Sequence, residues 1–363
     1  MWPTLKTRPL PDPETVTTLD VEDARDIVLR CDDTLFFFEL TKISEAVASI
    51  LVRYGDDLWL GKLASLTPGV ASVLARHRHN LILDGLTDIT PQTARLLAAH
   101  GRKRFDASLR RARKNHERWL EAIRRLSSGK GAARRAALGD ALRFGSLEQN
   151  DWRLLSLSGL QSLPPDVARE LASHRGALLL SGVQSLSDEA ASELSAHAGL
   201  LALDGLTSLS RAAAASLASC SRWKPDWILA CSSLQLAGLE ALSPIVAAEL
   251  AAFDGDLNLS GVTDLPTPVA ASLASHRPTN VARRTLVLDG LKHLSVAAAE
   301  ALTPHTGDLL LEGLTEISPE LADPLSRHRG RVFLGGVQQL STAAASVLLS
   351  SPQVYLVADP RCL

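Results

Sequence analysis

The chain has 363 residues, 46% of them apolar, and a formal charge of −2. That is apolar material enough for a large core, and so small a net charge creates no overall field toward nucleic acid or membrane. No apolar run reaches the roughly 18 residues that a membrane span needs, and four cysteines without a CxxC spacing exclude a fold built on disulfides.

Residues 1–19, opening MWPTLKTRPLPDPETV, hold no apolar export core and read as a proline-rich arm, so the cytoplasm is the expected compartment. The Ala, Leu and Arg bias reads as bacterial. Residues 20–32 (DVEDARDIVLRCD) read as a helical cap. A 23-residue word then recurs eleven times, starting at Leu35, Leu58, Leu81, Leu155, Leu178, Leu201, Leu234, Leu257, Leu286, Leu309 and Val332. A fixed period of this size predicts a solenoid, in which each unit buries its apolar face only against its neighbours. Residues 20–363 are therefore expected to form one elongated domain, ending in a closing strand at 355–359.

Within a unit, positions one and three are apolar (Leu178 and Leu180), the alternation of a short strand. Position five is glycine in nine units, which predicts a sharp turn at positive φ. Position ten is Ser or Thr in nine units and Pro in two, and Pro follows at position eleven in five, the pattern of a helix N-cap and its first residue. Position fourteen is alanine and position seventeen leucine throughout (Ala191 and Leu194), the buried stripe of a short helix lying close on its strand.

Strand, turn and short helix in units of this length, with an LxL strand, resemble the leucine-rich repeat family over roughly residues 33–359. Leucine or valine (Leu160, Val183, Leu206) replaces the family's ladder asparagine, in which the chain is similar to the short 23-residue bacterial classes. The resemblance implies an α/β solenoid, a right-handed superhelix with parallel strands on the concave face and short helices on the convex face. It implies protein ligands and carries no catalytic residues.

Three stretches exceed the period, all between a helix end and the next strand: 101–153, near 221–233 and near 278–284. Insertions at one phase emerge along one edge. The first reads as a helical hairpin with fifteen Lys/Arg against six Asp/Glu, a net +9 that leaves −11 for the remainder. Arg110, Arg111, Arg113, Lys114, Arg118, Arg124, Arg125, Arg134 and Arg135 dominate its polar side. Such a surface suits RNA, DNA or an acidic partner. It also suits a solvated amphipathic hairpin, or an arm folded on the protein's own acidic groove.

Outward strand positions two and four are the candidate groove. Position two is apolar in eight of eleven units, with Phe36, Trp59 and Ile82 first, and Phe38 stands at position four. An aromatic group at the first two strands reads as a binding hot spot; stacking of side chains down a parallel ladder is the plainer reading. Carboxylates at position four, Asp84, Asp204, Asp289 and Glu312, join the candidate protein-binding set. Position twenty is histidine in seven units (His77, His100, His174, His197, His276, His305, His328). Tyr54, Cys220, Phe253 and Ser351 fill the same slot, so these rings read as packing at helix C-termini, where positive charge is welcome, rather than as metal ligands. Cys220 and Cys231 flank the second insertion and read as thiols or a disulfide. No metal, cofactor or small-molecule substrate is expected, and no serine, histidine and carboxylate grouping suggests an enzyme. The expectation is a non-catalytic scaffold or adaptor that binds another protein, with nucleic-acid association through the basic hairpin as the alternative.

Overall fold

A computed structural model describes residues 11–30, 35–100, 153–221, 233–276 and 285–356. It is an α/β solenoid. Twelve strands lie in one parallel sheet in chain order, from Leu35–Phe37 at one edge to Val354–Tyr355 at the other, with a short helix after each of the first eleven. Position one pairs with position one from unit to unit, as in Leu58↔Leu81 and Leu178↔Leu201. Helices pack on helices of the neighbouring units, and strands pair with strands. No helix among the described residues is long and apolar enough to cross a membrane.

The predicted helix starts are present in detail. All nine Ser/Thr caps accept the N–H of the residue three further on, at 2.9–3.3 Å. Pro164 and Pro266 at the same position make no such bond. The Ala/Leu stripe is buried: Ala191, Leu194, Ala270 and Leu273 are all fully enclosed. Each enclosed leucine contributes about 1.5–3 kcal/mol, so a unit of 23 residues holds only against its neighbours.

The position-five glycines differ from expectation. None has positive φ. Their constraint is the previous coil: a Cβ on Gly182 would overlap the Ser158 carbonyl oxygen and approach that of Leu160 to 2.8 Å. The units without this glycine carry Glu39 and Lys62 there, and these two pair at 2.7 Å.

Residues 18–30 are the second half of a repeat. Thr18 bridges Lys42 in parallel. Asp20 caps the helix Val21–Arg30 through the N–H groups of Glu22 and Asp23, and Ala24 and Ile27 are buried at the spacing of positions fourteen and seventeen. At the other end the last period is one residue short. Val354, not Tyr355, pairs with Val332, and Tyr355 with Phe333; residues 357–359 of the expected closing strand lie outside the described residues. A two-stranded ribbon, Glu316–Ile317 with Gln339–Leu340, adds a second parallel pairing near this end.

The basic insertion interrupts the sequence but not the stack. Leu81 pairs with Leu155, and the His100 and His174 rings lie 6.2 Å apart at an interplanar angle of 3°. Arg95 meets Glu170 in two bonds of 3.0 Å.

Candidate protein-binding face

The sheet face away from the helices carries positions two and four, because successive side chains of a strand point to opposite sides. At its N-terminal end three aromatic rings form one platform. Phe36 and Phe38 stack at 5.5 Å, Phe36 and Trp59 lie 5.4 Å apart, and Trp59 meets Phe38 edge-on at 6.2 Å. Phe38 is 40% exposed, and Phe36 and Trp59 are half-buried. Aromatic pairs in such arrangements are worth about 0.5–1.5 kcal/mol beyond their burial, so the platform is pre-ordered while one ring stays open to solvent.

Further along, Leu179, Gln235, Asn258 and Val287 at position two are half-buried and the rest are enclosed. Ile82, Ser156, Ala202 and Leu310 at position two are all buried. Ile82 therefore sits beside the platform without adding exposed surface to it.

The carboxylates of position four face neighbouring backbone. Asp84 accepts the N–H of Ser158 at 3.0 Å, Asp204 that of Ala237 at 3.0 Å, and Asp289 that of Glu312 at 2.9 Å. Each bond joins position four of one unit to position four of the next. Burial, with the neighbouring Glu312 charge adding to it, pushes the Asp289 carboxyl above the usual carboxylate range, against the lowering effect of the N–H it accepts. A second series stands just ahead of the strands. Asp57 accepts from Asn80 N–H (2.9 Å), Asn80 from Leu154 N–H (3.1 Å), Asp256 from Thr285 N–H (2.9 Å) and Asp308 from Arg331 N–H (3.1 Å). The polar ladder that position six lacks is thus present at two other registers.

A second aromatic group, missed in the sequence, lies at the far edge. Phe333 and Tyr355 stack at 5.0 Å, and the Arg331 guanidinium sits 5.3 Å above Phe333 while bonding to the fully buried Asp308. The signal was the shortened last period, which places Tyr355 beside Phe333 instead of Val332.

The position-twenty histidines form two stacks, His77–His100–His174–His197 with rings 6.2–6.4 Å apart and His276–His305–His328 at 5.4–5.5 Å. The ring nitrogens serve helix ends only in part: His77 lies against the carbonyl of Val52, which ends the helix Glu45–Leu51, whereas His276 and His328 meet the carbonyls of Gly255 and Gly307, in the loops before strands, at 3.1 and 2.9 Å. Nor is positive charge favoured. Burial lowers the pKa of His77, His276, His305 and His328, that of His305 to about 3. Cys220 is buried in the same register, its Sγ directed to the Leu194 carbonyl at 3.5 Å. Cys231, residues 101–152, 222–232 and 277–284 of the three insertions, and with them the basic residues Arg110, Arg111, Arg113, Lys114, Arg118, Arg124, Arg125, Arg134 and Arg135, lie outside the described residues.

Compared with known proteins, this chain matches no protein-family model and no curated protein.

Proposed function

We propose that the protein is a non-catalytic recognition scaffold, an adaptor or a subunit of a larger complex, that grips another protein on its strand face. The observation that carries this is the platform of Phe36, Phe38 and Trp59, stacked within 5.4–6.2 Å of one another with Phe38 40% exposed. Large aromatic anchors on a rigid base lose little conformational entropy on binding, which is where interface energy concentrates. The likeness of the repeat to leucine-rich repeats, whose ligands are mostly proteins, supports the same reading, and a cytoplasmic setting goes with it. A second reading, nucleic-acid association through the hairpin 101–153, is favoured by that segment's net charge of +9.

Affinity capture from the native host separates them. The intact chain, a Phe38→Ser/Trp59→Ser variant and a variant with Arg110, Arg111, Arg113 and Lys114 changed to Gln serve as baits, each with and without nuclease. A protein held by the intact chain and by the hairpin variant, lost with the aromatic variant and indifferent to nuclease, supports the first reading. Loss with the hairpin variant or on nuclease treatment, and a log affinity that falls with log salt, supports the second.

A further inference from the structure

We propose that Asp56, Asp57 and His79 form a binding site for a first-row divalent transition ion, on the edge where helix ends return to strands. Among the described residues, this is where three metal-ligating side chains bring their donor atoms together, all within 4.8 Å of one another. An ion about 2.1 Å from each of three donors sets those donors about 3.5 Å apart, a spacing that donors within 4.8 Å of one another reach by small side-chain rotations. Two carboxylates with one imidazole select a borderline ion such as Zn²⁺, Mn²⁺ or Co²⁺. Three protein donors also leave a position open for water or for a group on a partner.

The repeat itself marks the place as unusual. Asp56 and His79 occupy the same register, two residues ahead of the strands that start at Leu58 and Leu81. Five later units have glycine there: Gly176, Gly199, Gly255, Gly307 and Gly330. For Gly176, Gly199 and Gly330 the reason is steric or conformational. A Cβ on Gly330 would overlap the Gly307 carbonyl oxygen, and Gly199 has a φ of 139°. Two ligating side chains therefore stand, one coil above the other, where the later coils mostly carry none. Asp56 accepts the Asp57 N–H at 2.7 Å on one oxygen, a local bond that asks for no histidine one coil away, and a local rule broken on two adjacent coils by metal-ligating side chains points to function.

Asp57 has a bracing bond to Asn80, but bracing does not account for the cluster. Asp256 and Asp308 brace Thr285 and Arg331 in the same way with glycine, Gly255 and Gly307, in the neighbouring register. Asp57 also takes the Asn80 side-chain N–H on its second oxygen at 3.0 Å. That pair of bonds fixes the plane of the carboxylate and leaves a lone pair on each oxygen, the orienting role that outer partners of metal ligands play.

The test is titration of the metal-stripped full chain with ZnCl₂ by calorimetry and with CoCl₂ by visible absorption. One ion per chain is expected, with Co²⁺ bands that disappear in His79→Ala and an affinity at least 10-fold weaker in Asp56→Asn and in His79→Ala. The exposed His293→Ala should bind as the parent does. Circular dichroism shows whether each variant is folded, and Asp56→Asn, an isostere, keeps the test valid if His79→Ala is not. No binding by the parent, or binding and Co²⁺ bands that survive in both variants, overturns the site.

Discussion

The Asp84 carboxylate accepts the Ser158 backbone N–H at 3.0 Å although 74 positions separate the two residues. Fifty-one of those positions are surplus to the period, and the residues on both sides meet as consecutive units do. Removing residues 101–151 joins His100 to Trp152 and gives Leu155 the four-residue distance from a ladder histidine that separates His77 from Leu81. The shortened chain should unfold cooperatively, with a melting temperature within a few degrees of the parent. Loss of the transition in circular dichroism would mean that the insertion holds the stack together.

Glycine at position five is required by the neighbouring coil, not by backbone conformation. Gly182→Ala should therefore cost about 2 kcal/mol or more in urea unfolding, since the new methyl must displace the Ser158 backbone. Gly55 has no atom within 4 Å of an added Cβ, and Gly55→Ala should stay within about 0.5 kcal/mol of the parent. Equal effects at the two positions would contradict the close approach of coils.

Asp308 is fully buried and bonds to the Arg331 guanidinium. Removing one member of a buried pair leaves a charge without compensation, which costs about 3–5 kcal/mol. Arg331→Ala should show that loss in equilibrium unfolding. It should also loosen the Phe333–Tyr355 stack beneath the guanidinium, seen as increased acrylamide quenching or proton exchange at Tyr355.

The C-terminal histidine stack makes stability depend on pH. Burial lowers His276, His305 and His328; for His305 the neighbouring imidazoles add to it, while the Gly255 carbonyl, then Asp256 and Asp254, oppose it at His276, and the Gly307 carbonyl, then Asp308, at His328. The unfolded chain therefore takes up protons first. The stabilisation is complete above about pH 6.5 and is lost as pH falls below that value, for His305 down to about 3. Where the unfolded His305 is protonated and the folded one is not, the slope approaches about 1.4 kcal/mol per pH unit, and His276 and His328 add to it in the same direction. Urea melts at pH 7.5, 6.0 and 5.0 measure the slope. His305→Phe, the residue type that Phe253 places in the same register, should remove one proton's share.

The strand, cap and helix of every unit were legible because each follows from a local cause repeated eleven times: alternation, a cap hydroxyl, an Ala/Leu stripe. The cap helix followed too, but not that Asp20, Ala24 and Ile27 repeat the unit's own spacing, since half a word carries half the signal. What the sequence concealed depends on contacts between coils. Asp84, Asp204 and Asp289 read as groove carboxylates because nothing local shows a carboxylate bonding to backbone one period away. Glycine at position five reads as a positive-φ turn for the same reason, since the coil it must clear lies one period away. Asp56 and His79 stand 23 positions apart, and their nearness is visible only when coils are stacked. The Phe36, Phe38 and Trp59 platform was legible, since aromatics at equal positions of adjacent units must stack.

Hydrogen exchange of the chain, free and bound to the protein that the capture identifies, tests the recognition surface most directly. The account predicts new protection confined to the strand face at its N-terminal end, in the segments 35–39 and 58–62, with the helices unchanged. Protection on the helical side, or none in those two segments, would contradict it.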